Sequence, residues 1–308
     1  MTVDTSVTLA GVPLKNPLMT ASGTSGHGLE LSPFFDLSIL GAFVTKGVSM
    51  APRAGNPPPR LQETPAGLLN AIGLENPGVA AFVARALPGL ATLGIPVVVN
   101  CFGEDPEKTV AAVEALSAQA AVTALELNVS CPNVKAGGIA FGTDPAVLRP
   151  LVAACRQATR LPLWVKLSPN VTSIVTMADA ALQGGADALT CVNTLLGCDI
   201  DVRRRRFLPS PGRGGLSGPA TLPVALLKVA EVHRAFPQAP IIGVGGIRRG
   251  EDVLKYLLAG ATAVQIGTAI LVEPTAPVRI LNEFTELCEG LGISRPADVI
   301  GAAHPGQP

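Results

Sequence analysis

In the run Asn128-Val129-Ser130-Cys131-Pro132-Asn133 a thiol lies between two amide side chains. A cysteine thiol has a reference pKa of about 8.5, close enough to neutrality for its surroundings to tune it into a base. An amide offers both a donor and an acceptor, which suits a flat ring carrying N–H and C=O groups. Asn70 and Asn193 extend the same amide chemistry. Lys46 and Lys166 each follow a short apolar run and place an ammonium where that run ends. Such a charge suits the N1–O2 edge of a flavin, which becomes anionic on reduction. Two glycine motifs, GVGGI at Gly243–Ile247 and IGTA at Ile266–Ala269, let a backbone approach a phosphate closely. Sugar-phosphate enzymes share that kind of glycine motif, so by itself it leaves a non-redox phosphate-binding enzyme open.

These residues need a frame. Short apolar runs recur at Leu18–Ala21, Ala42–Thr45, Val97–Val99, Leu125–Leu127, Leu163–Val165, Leu189–Val192, Ile241–Val244 and Val264–Ile266. Most are rich in Val, Ile and Leu, as strands covered on both faces should be. Segments with helical spacing lie between most of them, among them Pro106–Ala121, Asp144–Thr159, Ile174–Gly184, Pro219–Ala235 and Gly250–Ala259. Asp105 or Glu104 before Pro106, and Asp144 before Pro145, read as helix starts; Gly184 and Gly260 read as stops. Repeated βα units of this number predict an α/β fold, a (β/α)₈ TIM barrel spanning residues 1–308 as one domain. Ser6–Leu14 reads as a hairpin that plugs the barrel bottom. Pro52–Pro65 and Gly197–Gly215 read as long βα insertions at the C-terminal rim.

The polar residues fall where a barrel needs them. Active sites of this architecture lie at the C-terminal ends of the strands. Here those ends read Ser22, Lys46, Asn100, Asn128, Lys166, Asn193, Gly245-Gly246 and Gly267-Thr268. No Asp, Glu or His ends a barrel strand, which leaves Cys131 as the best acid–base group on the rim.

Composition narrows the classes. Apolar residues make up 48% and charged residues 15% of 308 residues, enough for a large core. The formal net charge is zero, against a nucleic-acid or anionic-membrane surface. No apolar run approaches the roughly 20 residues of a membrane span, and residues 1–6 show no leader pattern, so a cytoplasmic protein is expected. The six cysteines form no CxxC pair and the three histidines are far apart, so no metal or iron–sulfur site is expected on this chain. Apart from Cys131, the cysteines read as small buried hydrophobes.

From Leu9 to about Gly301 the chain resembles the class I dihydroorotate dehydrogenases. The resemblance rests on NPLMTASGT (Asn16–Thr24), TKG (Thr45–Gly47), NPPPRLQETPAGLLNAIGLENPG (Asn56–Gly78), NVSCPNVKAGG (Asn128–Gly138), FGTDP (Phe141–Pro145), VKLSPN (Val165–Asn170), NTLLG (Asn193–Gly197), GGLSGPA (Gly214–Ala220), GVGGI and IGTA, in that order. NAIGLENPG resembles the NAD-linked class IB, whereas the fumarate-using class IA usually differs there. The resemblance implies oxidation of dihydroorotate to orotate in pyrimidine biosynthesis, with FMN as cofactor. Cys131 would remove the C5 proton as the C6 hydride passes to flavin N5. FMN contacts are implied for Ser22, Lys46, Gly47, Asn100, Asn128, Lys166, Val192, Gly218, Gly245, Gly246, Gly267 and Thr268. Substrate contacts are implied for Lys46, Asn70, Ala71, Ile72, Gly73, Leu74, Asn128, Asn133, Asn193 and Thr194. Lys46 would face the carboxylate of orotate. A homodimer core is implied, joined by a second subunit carrying FAD and a 2Fe-2S cluster to make a heterotetramer. Cys101-Phe102 stands where the family has small residues, and Arg203–Arg206 is more basic than its pattern. The competing readings are a dihydropyrimidine dehydrogenase-like flavoenzyme, whose substrate lacks the carboxylate, and a colourless sugar-phosphate isomerase or lyase.

Overall fold

The computed structural model describes residues 2–130, 132–133 and 139–306. Its central sheet has eight strands, β1 (Leu18–Thr20), β2 (Phe43–Val44), β3 (Val97–Cys101), β4 (Ala124–Asn128), β5 (Leu163–Lys166), β6 (Ala188–Cys191), β7 (Ile241–Val244) and β8 (Ala263–Ile266). Every neighbouring pair is parallel, from β2 through β7 to β8 and on to β1. The circle closes between β1 and β2. Met19 bridges Ala42, and the Gly41 N–H donates to the Leu18 carbonyl at 2.8 Å. Thr20 Oγ1 accepts from the Val44 N–H at 2.7 Å and donates to its carbonyl at 2.9 Å. The expected (β/α)₈ barrel is therefore present.

Helices α1 (Val79–Arg85), α2 (Pro106–Ser117), α3 (Pro145–Gln157), α4 (Ile174–Gln183), α5 (Leu222–Ala235), α6 (Gly250–Leu258), α7 (Thr268–Val272) and α8 (Ala276–Gly290) accompany the strands. Asp105 caps α2 by accepting from the Lys108 N–H at 2.8 Å, and Asp144 caps α3 by accepting from Ala146 at 2.9 Å. After α4 the left-handed turn falls on Gly185, at φ 95°, one residue later than the sequence predicts. Gly184 is still helical, with φ −76°.

Side-chain parity divides the barrel into two cores. Leu125, Leu127, Leu163, Val165, Leu189, Ile241 and Val264 point outward into the helix layer. Ala124, Trp164, Ala188, Ile242 and Ala263 point inward at the N-terminal end of the barrel. The hairpin Val7–Leu9 and Val12–Leu14 closes that end by driving Val7, Leu9, Val12 and Leu14 into the same cluster. Each such side chain contributes about 1.5–3 kcal/mol by leaving water. The plugged bottom leaves the other end for polar groups.

The two rim insertions are joined in one sheet through Gly67–Asn70, which lies just past the first of them. Leu195–Gly197, Gly214–Ser217, Gly67–Asn70 and Leu61–Thr64 form one antiparallel sheet in that order. A hairpin of Asp199–Asp201 and Arg206–Leu208 projects beyond it. It carries the Arg203–Arg206 run and exposes Ile200, Val202 and Phe207.

Candidate active site

The C-terminal mouth of the barrel and the insertion sheet enclose a cavity of about 1610 Å³. Strand ends or the residues just beyond them supply Ser22, Lys46, Gly47, Asn100, Asn128, Lys166, Val192, Asn193, Thr194, Gly245, Gly246, Gly267 and Thr268. The insertion sheet and its connections supply Asn70, Ala71, Ile72, Gly73, Leu74 and Gly218. These groups are far apart in the chain, yet all line one space. Cys131 lies outside the described residues, and of Asn133 only the backbone is described, paired with Ile139.

Beneath the mouth, the barrel interior is polar. Glu126, on β4, is wholly buried. One of its oxygens accepts from Asn100 Nδ2 at 2.8 Å; the other accepts from Thr190 Oγ1 at 2.9 Å and from Gln265 Nε2. Lys166 Nζ lies 3.6 Å from the first oxygen. It also donates to Ser22 Oγ at 3.2 Å and to Gln265 Oε1 at 3.1 Å. Breaking a buried pair by removing one partner costs about 3–5 kcal/mol, and an apolar replacement of the pair is often neutral. Its presence under the mouth therefore points to a task there. Asn100 is 1% exposed, and its Oδ1 has no hydrogen-bond partner among the described residues. A buried acceptor without a donor is costly unless a ligand supplies one.

The amides above it form a second cluster. Asn128 Oδ1 accepts from the Ser130 N–H at 3.1 Å and from Asn193 Nδ2 at 3.3 Å. Asn193 Nδ2 also donates to Ser130 Oγ at 3.0 Å, and Asn193 Oδ1 accepts from the Thr194 N–H at 2.8 Å. These bonds fix the chain up to the residue before Cys131. None of the described cysteines lines the cavity. Burial pushes Cys155 and Cys191 up to about 12 and raises Cys288. Cys101, Cys155, Cys191 and Cys288 are buried as the sequence predicts, whereas Cys198 is exposed on the rim insertion.

The wall at Asn70–Leu74 is held from behind. Arg53 Nε donates to the Gly73 carbonyl at 2.9 Å, Asn56 Nδ2 donates to Ala71 at 2.9 Å, and Asn70 Nδ2 donates to Gly215 at 3.1 Å. Arg53 pairs with Glu104 and Arg60 with Glu75, each at 2.7 Å. Lys46 faces this wall. Burial lowers its pKa below the ordinary lysine value, opposed by Glu75 and reinforced by Arg60. Its N–H donates to the Gly26 carbonyl at 2.7 Å.

On the far side, the cavity wall is glycine. Gly218, Gly245 and Gly246 have φ of 94°, 134° and 74°, backbone that a side chain would strain. Thr268 Oγ1 donates to Ser217 Oγ at 2.8 Å, tying the end of β8 to the insertion sheet.

Glu126, Thr190, Gln265, Ser130 and the Arg53 and Arg60 pairs are not anticipated from the sequence. The signal for the first three is period two. Ala124, Glu126 and Asn128 share one strand face, as do Ala188 and Thr190, and Ala263 and Gln265.

A family model for dihydroorotate dehydrogenase matches residues 5–288. A dihydroorotate dehydrogenase B (NAD(+)) catalytic subunit of Pelobacter propionicus is 52% identical, over 98% of this chain and 99% of its own. Its counterpart in Solidesulfovibrio magneticus is 52% identical over 99% and 100%, and that of Desulforudis audaxviator is 51% identical over 99% of each. With the barrel, the polar mouth and a match that runs through both rim insertions, the chain belongs to the dihydroorotate dehydrogenase family.

Proposed function

We propose that this chain is the catalytic subunit of an NAD-linked dihydroorotate dehydrogenase, one catalytic barrel that oxidises (S)-dihydroorotate to orotate for pyrimidine synthesis. The observation that carries the reading is the convergence of the candidate residues on one cavity, beside a buried acceptor, Asn100 Oδ1, with no donor among the described residues. The residues present fit FMN. Asn100 Oδ1 suits a ring N–H, Lys166 supplies positive charge close by through their shared partner Glu126, and the positive-φ backbone of Gly218, Gly245 and Gly246 lines the cavity where a phosphate can meet main-chain N–H groups. Ser22, Lys46, Gly47, Asn128, Val192, Gly267 and Thr268 complete that cradle. When bound, FMN supplies the two-electron acceptor for the hydride from C6 of the substrate.

The chain's own residues do the rest. Cys131 takes the C5 proton; Ser130, the residue before it, is held by Asn128 and Asn193. Asn70, Asn128 and Asn193, which line the cavity, meet the amides and carbonyls of the pyrimidine ring, with Thr194 and the backbone of Ala71–Leu74 closing over it; the family resemblance adds Asn133 to the set. Lys46 balances the substrate carboxylate, and the insertion sheet excludes water from the mouth. A carboxylate partner favours dihydroorotate over dihydrouracil.

Electrons leave through a second subunit carrying FAD and a 2Fe-2S cluster, in a cytoplasmic heterotetramer built on a homodimer of this chain. The relatives' designation as a catalytic subunit supports a partner, and this sequence has no CxxC element to hold a cluster. Among the described residues no helix is long and apolar enough to cross a membrane. Purified alone and given dihydroorotate, the chain is expected to reduce an artificial dye quickly and NAD barely. Rapid NADH formation by the lone chain would contradict the partner, and efficient turnover with fumarate would move the chain to class IA.

A further inference from the structure

We propose that Glu126 is a positioning residue that sets the hydrogen-bond polarity of the flavin cradle by fixing which end of the Asn100 amide meets the ligand. The inference rests on the FMN reading and adds to it a residue that touches neither cofactor nor substrate.

Glu126 Oε1 accepts from Asn100 Nδ2 at 2.8 Å. Turning that amide over would set Asn100 Oδ1 against a carboxylate oxygen, acceptor against acceptor. Asn100 therefore keeps Nδ2 on Glu126 and leaves Oδ1 as its other face, where it has no partner among the described residues. No described residue supplies a donor to it, and a ligand N–H would. The pyrimidine edge of a flavin offers one N–H, N3–H, between two carbonyls. An acceptor from Asn100 beside a donor from Lys166 is the pattern complementary to that edge.

The same carboxylate holds Lys166. Its Oε1 lies 3.6 Å from Lys166 Nζ, and its Oε2 accepts from Gln265 Nε2, whose Oε1 in turn accepts from Lys166 at 3.1 Å. Thr190 Oγ1 occupies the remaining site on Oε2 at 2.9 Å. Asn100, Lys166, Thr190 and Gln265 come from β3, β5, β6 and β8, so one side chain on β4 orients groups from four other strands.

This arrangement specifies its own test. In Glu126→Gln the oxygen must stay with Thr190 and Gln265, which are both donors there. The new amide nitrogen then faces Asn100 and turns that side chain over, so an N–H₂ meets N3–H. Adding Asn100→Asp restores the pattern: the glutamine donates to one oxygen of Asp and the other accepts from the ligand. The pair's net charge returns as well.

The full-length wild type, Glu126→Gln, Asn100→Asp and the double variant are purified. FMN dissociation is followed on dilution by the fluorescence of released flavin, and folding by circular dichroism. Glu126→Gln is expected to weaken FMN binding about 10- to 100-fold, the range for one mismatched buried polar contact, and the double variant to recover most of it. A structural role alone gives no such recovery. Wild-type affinity in folded Glu126→Gln would overturn the proposal, as would a double variant no better than the worse single one. Should Glu126→Gln not fold, recovery in the double variant over Asn100→Asp supports the proposal, and equal loss overturns it. A double variant that cannot fold makes Glu126 a structural residue only and also overturns it. A wild type that neither carries nor binds FMN refutes the cofactor reading instead.

Discussion

Replacing Cys131 by alanine is expected to slow reduction of the bound flavin by dihydroorotate on the order of 10²- to 10⁴-fold while FMN stays bound, the loss typical of a missing general base. The sequence brackets this thiol with Asn128 and Asn133, and the structure anchors the chain just before it through Ser130. Among the described residues no cysteine lines the cavity, and burial pushes Cys155 and Cys191 up to about 12. The wall glycines and the Glu126 network stay intact in the variant, so binding and chemistry separate. Cys131→Ser should regain part of the rate as pH rises, because a hydroxyl needs a stronger drive to release its proton. Stopped-flow bleaching under anaerobic conditions measures both variants, and a wild-type rate in Cys131→Ala would remove the cysteine from the mechanism.

Blocking the cradle tests cofactor placement with an effect of similar size. From the sequence alone Gly246 is the obvious position. The structure shows why it gives an ambiguous answer: its φ is 74°, and a Cβ there would come within 2.6 Å of Leu222 Cβ, so a substitution disturbs the start of α5. Gly267 has more room: a Cβ there would meet only Ala21 Cβ at 3.4 Å and Thr24 Oγ1 at 4.0 Å. Those are ordinary contacts, so a larger side chain there extends into the cavity that Gly267 lines. Gly267→Leu is expected to keep the barrel folded and weaken FMN binding on the order of 10²-fold, the loss expected when a charged phosphate is denied its backbone donors. Flavin content per folded chain reads the result. Stoichiometric FMN in folded Gly267→Leu would put the phosphate elsewhere.

How much of this was legible beforehand depended on how local the cause was. Strand positions were readable because a run such as Leu163-Trp164-Val165 has little alternative to burial on both faces. The helix starts at Asp105 and Asp144 were readable for the same reason, since a cap involves only the next few residues. The strand-end residues followed from the barrel itself, which has one functional face. The missed features depend on partners distant in sequence. Asn70 and Gly215 stand 145 residues apart, and only their pairing turns two apparent loops into a sheet over the mouth. Glu126 is hidden because Leu125-Glu126-Leu127 reads as one buried apolar run. Parity with Ala124 and Asn128 puts it on the inner face, where a carboxylate needs several donors from other strands.

The central claim is that this cavity couples a flavin to dihydroorotate, and the visible spectrum of the purified chain during anaerobic addition of dihydroorotate tests it most directly. The account predicts a yellow protein whose flavin band bleaches on addition of dihydroorotate and returns when a dye acceptor is admitted. A colourless protein that does not take up FMN, or a flavin band unchanged by saturating dihydroorotate, would contradict it.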